Sequence, residues 1–364
     1  MTTINEIFRE YAPEYIGRFS QSMPSEHHKV IDAMINCRTP NCGTMIYQCE
    51  RCGENHIIHK SCGNRHCPNC QHHKTHQWLT KQVNRQLPGH HFMITFTMPQ
   101  QIRRFIRSHQ RICYAAMFKA SSETIKKLAL DEKHIGADLP GFLGVLHTWG
   151  RQLAYHPHIH YVVPGGALSK NDGCWHPSRI DFFLPVKAMS KIFKAKFRDE
   201  MSKSNIDSNI PEEVWNQDWV VNSQAVGTSA HSIKYLAPYV FKVAISNSRI
   251  IKVEDHNVFF KYKKPQSNRW RTMRLDVMEF LRRFLQHVLP TGFMKVRYYG
   301  FLSPGSSVPL EKISALIQLS FGFVITKPER KIEPFEPPTC IHCGGTLKYV
   351  ASILPFKLIK SGVG

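Results

Sequence analysis

The stretch His156-Pro157-His158-Ile159-His160-Tyr161-Val162-Val163 reads as a β-strand that carries two histidines on one face. Side chains two apart on a strand project to the same side. His158 and His160 therefore stand together, while Ile159 points the other way, toward a core. Two adjacent imidazoles can hold one divalent metal and leave positions open for water or substrate. A third ligand has to come from another segment. His147 is one candidate, because residues 141–149 form the predicted partner strand; His156 competes with it.

Outward from this strand the texture stays mixed. Residues 141–149 and 156–163 flank the short polar turn Gly150-Arg151-Gln152, the pattern of an antiparallel pair. Residues 91–98, HFMITFTM, form a further strand stopped by Pro99. Between them, residues 100–130 place Ile102, Phe105, Ile106, Ile112, Ala116 and Leu128 at helical spacing. Residues 185–201 are amphipathic, with Met189, Ile192, Phe193 and Phe197 on one side. Short strands are predicted over 215–221 and 257–263, and a helix over 229–244. The order β-α-β-β-α-β-α-β predicts an α+β fold, an antiparallel sheet with helices packed on it.

The helix over 229–244 contains Tyr235-Leu236-Ala237-Pro238-Tyr239. Tyrosines four apart on a helix share a face, where spacing alone favours ordinary packing and Pro238 disturbs a straight helix. A phenol used as a nucleophile needs help, because its pKa is near ~10. Lys234 or Lys242 can stabilise the phenolate.

Eleven cysteines are present, seven of them between Cys37 and Cys70. Dense cysteines mixed with histidines point to metal binding in a reducing compartment rather than to disulfides. Cys49-x-x-Cys52 and Cys67-x-x-Cys70 each put two thiolates on one tight turn, and two such turns complete a tetrahedron around Zn²⁺. Cys37, Cys42, Cys62, His59, His66 and His72 are further candidates, enough for a second zinc. Closed thiolate sites are structural, so this block reads as a DNA-binding or docking module. A second, isolated pair, Cys340 and Cys343, follows a Pro-rich segment at 333–339 and is expected to play a minor structural part.

Lys and Arg number 48 against 27 Asp and Glu, a formal net charge of +21. A surface that basic calls for a polyanion, and nucleic acid is the leading partner. No apolar run reaches the ~20 residues of a membrane-spanning helix, the first nine residues lack the pattern of a secretory leader, and there is no Walker-type phosphate loop.

Several motifs occur together in one order: SCGNRHCPNC at 61–70, GFLGVLHTWG at 141–150, HPHIH at 156–160, YLAPY at 235–239 with VAISNSR at 243–249, and RYYGFL at 297–302. On these the chain resembles the rolling-circle insertion-sequence transposases of the His-hydrophobic-His tyrosine endonuclease superfamily. The resemblance implies a zinc-binding domain over 1–90 and a ferredoxin-like nuclease domain over 91–264. A basic helical region over 265–330 and a tail over 331–364 would follow. It implies structural zinc, for which Cys37, Cys49, Cys52, Cys62, His66, Cys67 and Cys70 are the candidate ligands, and a catalytic Mg²⁺ or Mn²⁺ held by His158 and His160, with His147 the candidate third ligand. Tyr235 and Tyr239, helped by Lys234, become the nucleophiles that nick and rejoin single-stranded DNA at transposon ends and at a target. It further implies a 5′-phosphotyrosine link, host replication from the freed 3′ hydroxyl, and a place at the nucleoid in a bacterial cytoplasm. The aromatics Trp270, Tyr298 and Tyr299 are then available either to stack bases or to pack.

Overall fold

A computed structural model describes residues 2–70, 77–78, 82, 85, 87–206, 209–228, 244–264, 267, 269–321 and 337–355. The predicted helix over 229–244, with Lys234, Tyr235 and Tyr239, lies outside the described residues apart from its last residue. In chain order the strands are β1 (Thr44–Cys49), β2 (Asn55–His59), β3 (His90–Thr97), β4 (Phe142–Trp149), β5 (Tyr155–Pro164), β6 (Gly166–Leu168) and β7 (Trp175–Pro177). They continue as β8 (Val220–Thr228), β9 (Ile250–Glu254), β10 (Asn257–Lys263), β11 (Trp270–Asp276), β12 (Val296–Tyr299) and β13 (Leu347–Ile353). No helix among the described residues is long and apolar enough to cross a membrane.

The chain divides into two compact units, and neither is one continuous segment. The first comprises Met1–Lys74, Ile245–Val288 and Lys331–Gly364; the second comprises Thr75–Ala244 and Leu289–Arg330. This differs from the linear order of four regions expected from sequence. Composition changes mark where texture shifts, whereas units are defined by long-range pairing.

The second unit is built on a five-stranded antiparallel sheet of order β12-β4-β5-β3-β8. Leaving β12 aside, the order is that of a split βαβ repeat, the ferredoxin-like arrangement. One face is apolar: Phe92, Ile94 and Phe96 of β3, Phe142 and Leu146 of β4, and Ile159, Tyr161 and Val163 of β5 are all buried. They pack with the buried sides of helices Gln110–Leu130 and Val186–Lys203, including Met117, Phe118, Phe193 and Phe197. The helix expected over 100–130 is two helices, Arg103–Ser108 and Gln110–Leu130, meeting at His109. Ile112 is exposed rather than on the apolar side. The strand expected over 215–221 is a short helix, Glu213–Asn216, followed by β8.

Tyr161 sets a local requirement on β4. Its hydroxyl meets Ser121 Oγ at 2.7 Å, and its ring occupies the space where a side chain at position 144 would lie. A Cβ on Gly144 would collide with Tyr161 Cε1. Edge strand β12 comes from a segment expected to be helical and basic. Tyr299 stacks on Phe142 at 4.8 Å between ring centroids, and Tyr298 Oη accepts hydrogen bonds from Trp78 Nε1 at 3.2 Å and Gln82 Nε2 at 3.1 Å. Both tyrosines are half-buried and take part in packing.

The first unit holds helices Ile4–Phe19, Ser25–Asn36 and Val277–Leu285 and two three-stranded sheets, β13-β1-β2 and β11-β10-β9. Thr3 and Glu6 close a capping box at the start of the first helix, and Asp276 accepts from two backbone N–H groups at the start of the last. Phe8 meets Phe284 edge-on at 5.2 Å, joining these helices. Strand β10, expected in the sheet of the histidine strand, pairs instead with β9 and β11 in this unit. Trp270, on β11, is exposed with Lys263 over its ring.

Candidate metal centres

The face of the large sheet opposite its helix-packed core gathers three histidines. On β5, His158 and His160 project to this face, and Ile159 is fully buried on the other. Antiparallel pairing places His147 of β4 directly across from His158. A ring nitrogen from each of His147, His158 and His160 lies within 4.8 Å of the others. Of the two candidates for a third ligand, the register therefore brings His147 into the group. His156 stays beside the group, 5.0 Å from His158 between ring centroids, and contributes its backbone.

Second contacts orient these rings. His158 Nδ1 donates to the His156 carbonyl at 2.6 Å, which leaves the lone pair on Nε2. His160 Nδ1 shares a 2.8 Å hydrogen bond with the Thr95 hydroxyl from the neighbouring strand. Burial holds His158 down to about 4. Burial, reinforced by His158 and His156, holds His160 down to about 3. Both are neutral near pH 7, the form that binds a cation. The donor set thus fits a divalent metal: three imidazoles with their ring nitrogens gathered within 4.8 Å, at least two of them fixed by second contacts.

Sequence reasoning missed one neighbour. Arg103 follows β3 at the start of its short helix, and its charge acts on both His156 and His158. Its Nε is buried and has no hydrogen-bond partner among the described residues. The sequence shows only an arginine in a basic chain, because nothing local marks its approach to β5.

In the first unit the sulfurs form two groups of four, Cys37 with Cys62, Cys67 and Cys70, and Cys49 with Cys52, Cys340 and Cys343. The expectation that the knuckles Cys49/Cys52 and Cys67/Cys70 share a tetrahedron is corrected: each knuckle closes with a different pair. In the first group Cys37 Sγ lies 3.6 Å from Cys70 Sγ and 3.6 Å from Cys67 Sγ, and Cys62 Sγ lies 3.5 Å from Cys70 Sγ. Thiolates about 2.3 Å from a tetrahedral zinc are about 3.8 Å apart, so the sulfurs already approximate that figure. Hydrogen bonds from Cys62 and Cys67 draw the Cys70 thiol far below its ordinary value, and the bonds Cys62 makes to Cys67 and Cys70 push its own far up. Four thiols this close cannot all ionise without a cation.

Asn5, fully buried on the first helix, donates Nδ2 to the Met34 carbonyl at 2.8 Å and to Cys67 Sγ at 3.4 Å. His66, expected among the ligands, is outside both groups, because four sulfurs already fill a tetrahedron. Cys42 is outside them too, its thiol donating to the Asn36 carbonyl at 3.0 Å. His59 Nδ1 pairs with Thr44 Oγ1. His72 lies outside the described residues.

A transposase zinc-binding domain family matches residues 7–98, and a family described as "Putative transposase" matches residues 141–308. The chain is 34% identical over 353 residues to "Putative transposase y4qJ" of Sinorhizobium fredii, covering 92% of this chain and 87% of that protein. It is 24% identical over 359 residues to the transposase for insertion sequence element IS801 of Pseudomonas savastanoi pv. phaseolicola, covering 89% and 83%. The chain belongs to the IS91 family of insertion-sequence transposases. No solved structure matches it.

Proposed function

We propose that this transposase nicks and rejoins single-stranded DNA at transposon ends through a tyrosine, with a divalent cation at the histidine face. The observation that carries the reading is the convergence of His147, His158 and His160, neutral where titration is resolved, on the sheet face opposite the helix-packed core. A cation there supplies positive charge opposite the scissile phosphate, which eases attack on phosphorus. Three imidazoles with no carboxylate in the group favour Mn²⁺ over the harder, oxygen-seeking Mg²⁺.

The protein's own groups do the rest. The three histidines fix the position of the phosphate, and Arg103 offers its buried guanidinium edge to a non-bridging oxygen, a match of planar fork to oxyanion. Tyr235 or Tyr239, assigned by family resemblance, attacks phosphorus as the phenolate, with Lys234 stabilising the charge. The phenolic O–P bond forms as the P–O3′ bond breaks, and the departing 3′ oxygen takes up a proton. One phosphodiester replaces another, so the link keeps the energy needed for rejoining and no nucleotide is consumed. Host replication from the freed 3′ end, and transfer of the strand to a target by the second tyrosine or the same one again, complete the cycle.

The test is incubation with labelled single-stranded DNA from the element's own ends, with Mn²⁺, with Mg²⁺ and without metal, followed by denaturation. A covalent adduct that needs metal and is absent from the Tyr235→Phe, Tyr239→Phe double variant is expected. Tight binding with no adduct under any metal would overturn the reading in favour of a non-catalytic zinc-dependent DNA-binding protein.

A further inference from the structure

The second group of sulfurs joins cysteines 294 and 288 residues apart: Cys49 Sγ lies 3.4 Å from Cys343 Sγ, and Cys52 Sγ lies 3.7 Å from Cys340 Sγ. All four fall within 4.8 Å of one another. The residues 340 and 343 are outside the matched zinc-binding domain, which covers 7–98.

The two knuckles share one backbone design. Cys49 N–H donates to the Glu54 carbonyl at 2.9 Å and Cys340 N–H to the Gly345 carbonyl at 2.7 Å, each five residues on. Gly53 N–H returns to the Cys49 carbonyl at 2.9 Å and Gly344 N–H to the Cys340 carbonyl at 2.9 Å. Both glycines are left-handed, with φ of 73° and 72°, a conformation that side chains other than glycine rarely adopt. A Cβ on Gly345 would come within 3.0 Å of Cys49 Sγ, so the second knuckle is shaped to let the first approach. Gly345 N–H also points at Cys343 Sγ, 3.4 Å away, the kind of donor that steadies a metal-bound thiolate.

Little else holds this region together. Strand β13 pairs with β1 along Thr44↔Ile353 to Cys49↔Leu347. The buried residues between the knuckles are Cys49, Cys340 and Leu347, with Tyr47 and Cys343 packed against them, while Tyr349, Val350 and Ile353 of β13 are exposed. So small a core buries too little apolar surface to fix a strand returning from so far along the chain. A four-thiolate metal supplies what the core lacks.

We propose that Cys49, Cys52, Cys340 and Cys343 bind a second structural Zn²⁺, which fastens the C-terminal strand onto the N-terminal sheet and so closes the chain on itself. Zinc rather than a pair of disulfides fits, because all four sulfurs face one another and not two separate partners.

The test is zinc content of the full-length protein purified under reducing conditions, together with hydrogen exchange across β13. Two zinc ions per chain are expected in the wild type and in Cys42→Ser, whose thiol is outside both groups. One zinc is expected in the Cys340→Ser, Cys343→Ser double variant, with amide protection of 347–353 reduced at least tenfold and the first helix unaffected. A single zinc in the wild type, or two zinc ions retained by the double variant, would overturn the proposal. So would full protection of β13 in that variant, or the finding that these four cysteines resist alkylation until reductant is added. None of these readouts depends on DNA cleavage, so failure here and failure of the proposed activity are distinguishable.

Discussion

The sulfur groups of the first unit and the histidine group of the second use related chemistry to opposite ends. Each sulfur group presents four thiols, one for every corner of a tetrahedron. A metal held by four thiolates would have no position left for a substrate, and its work would be to hold the fold. The histidine group presents three imidazoles on the face of a sheet whose core is complete without them. A metal held there would have positions to spare and little to do for folding. Donor number and the size of the surrounding core, rather than the presence of metal ligands as such, separate structure from chemistry here.

The largest effect is expected from Cys67→Ser. Cys67 is fully buried and hydrogen-bonded by Asn5, and structural zinc in small domains supplies roughly 10–16 kcal/mol of apparent folding energy. Circular dichroism should show the first unit's unfolding transition lost and zinc content lowered. An unchanged transition would mean that the group is not what holds this unit.

His160→Ala should do the reverse, lowering metal-dependent cleavage by about 10³-fold, as expected for losing several kcal/mol of charge stabilisation. The melting temperature should move by only a few degrees. If the melt collapses, the histidine group is structural as well, and the contrast between the two regions fails.

His91 sharpens the distinction between histidines that could meet metal and one that could not. It is buried in the second unit, outside the metal group, and burial holds it down to about 4. In the unfolded chain it titrates near the usual ~6.5, so as pH falls the unfolded state takes up the proton first. The stability linked to neutral His91 is fully present above ~6.5 and is lost as pH falls toward 4, a loss on the order of 3 kcal/mol. Chemical denaturation at pH 7 and at pH 4.5 should show this loss, smaller in His91→Gln. Added Mn²⁺ should leave the His91 contribution unchanged.

How much of this was legible in the sequence follows the range of each signal. The alternation of His158, Ile159 and His160 is local, and a two-residue period assigns faces without knowledge of the rest of the sheet. The strands β3, β4 and β5 were legible for the same reason, and the core helices from their helical spacing, although the break at His109 was not. Choosing His147 over His156 needed the register of β4 against β5, which the sequence left open. The thiol partners were less legible still. A CxxC spacing reports a turn but not its partner, and nothing local links Cys49 to Cys343. Strand β12 sits in a short basic stretch whose tyrosines meet Phe142, Trp78 and Gln82, all distant in sequence. Asn5 carries no local signal at all, since its role depends on meeting Met34 and Cys67.

The smallest predicted effect lies one shell out. Thr95→Val keeps the β-branched shape of the strand residue but removes the hydroxyl that holds His160. Second contacts of this kind are worth about 10–100-fold in metal affinity. Titration with Mn²⁺ should show a loss in that range, with cleavage rescued at higher metal. A variant that binds Mn²⁺ as tightly as the wild type would show that His160 is fixed by the strand alone.

The most direct measurement is to dialyse the full-length protein exhaustively against EDTA, then measure zinc content and cleavage of single-stranded end DNA on the same sample. Zinc should be retained in the closed thiolate groups while cleavage is lost, and Mn²⁺ added back should restore cleavage without changing the zinc. Cleavage that survives EDTA, or that returns only with zinc, would contradict the division between a metal that holds the fold and a metal that serves the chemistry.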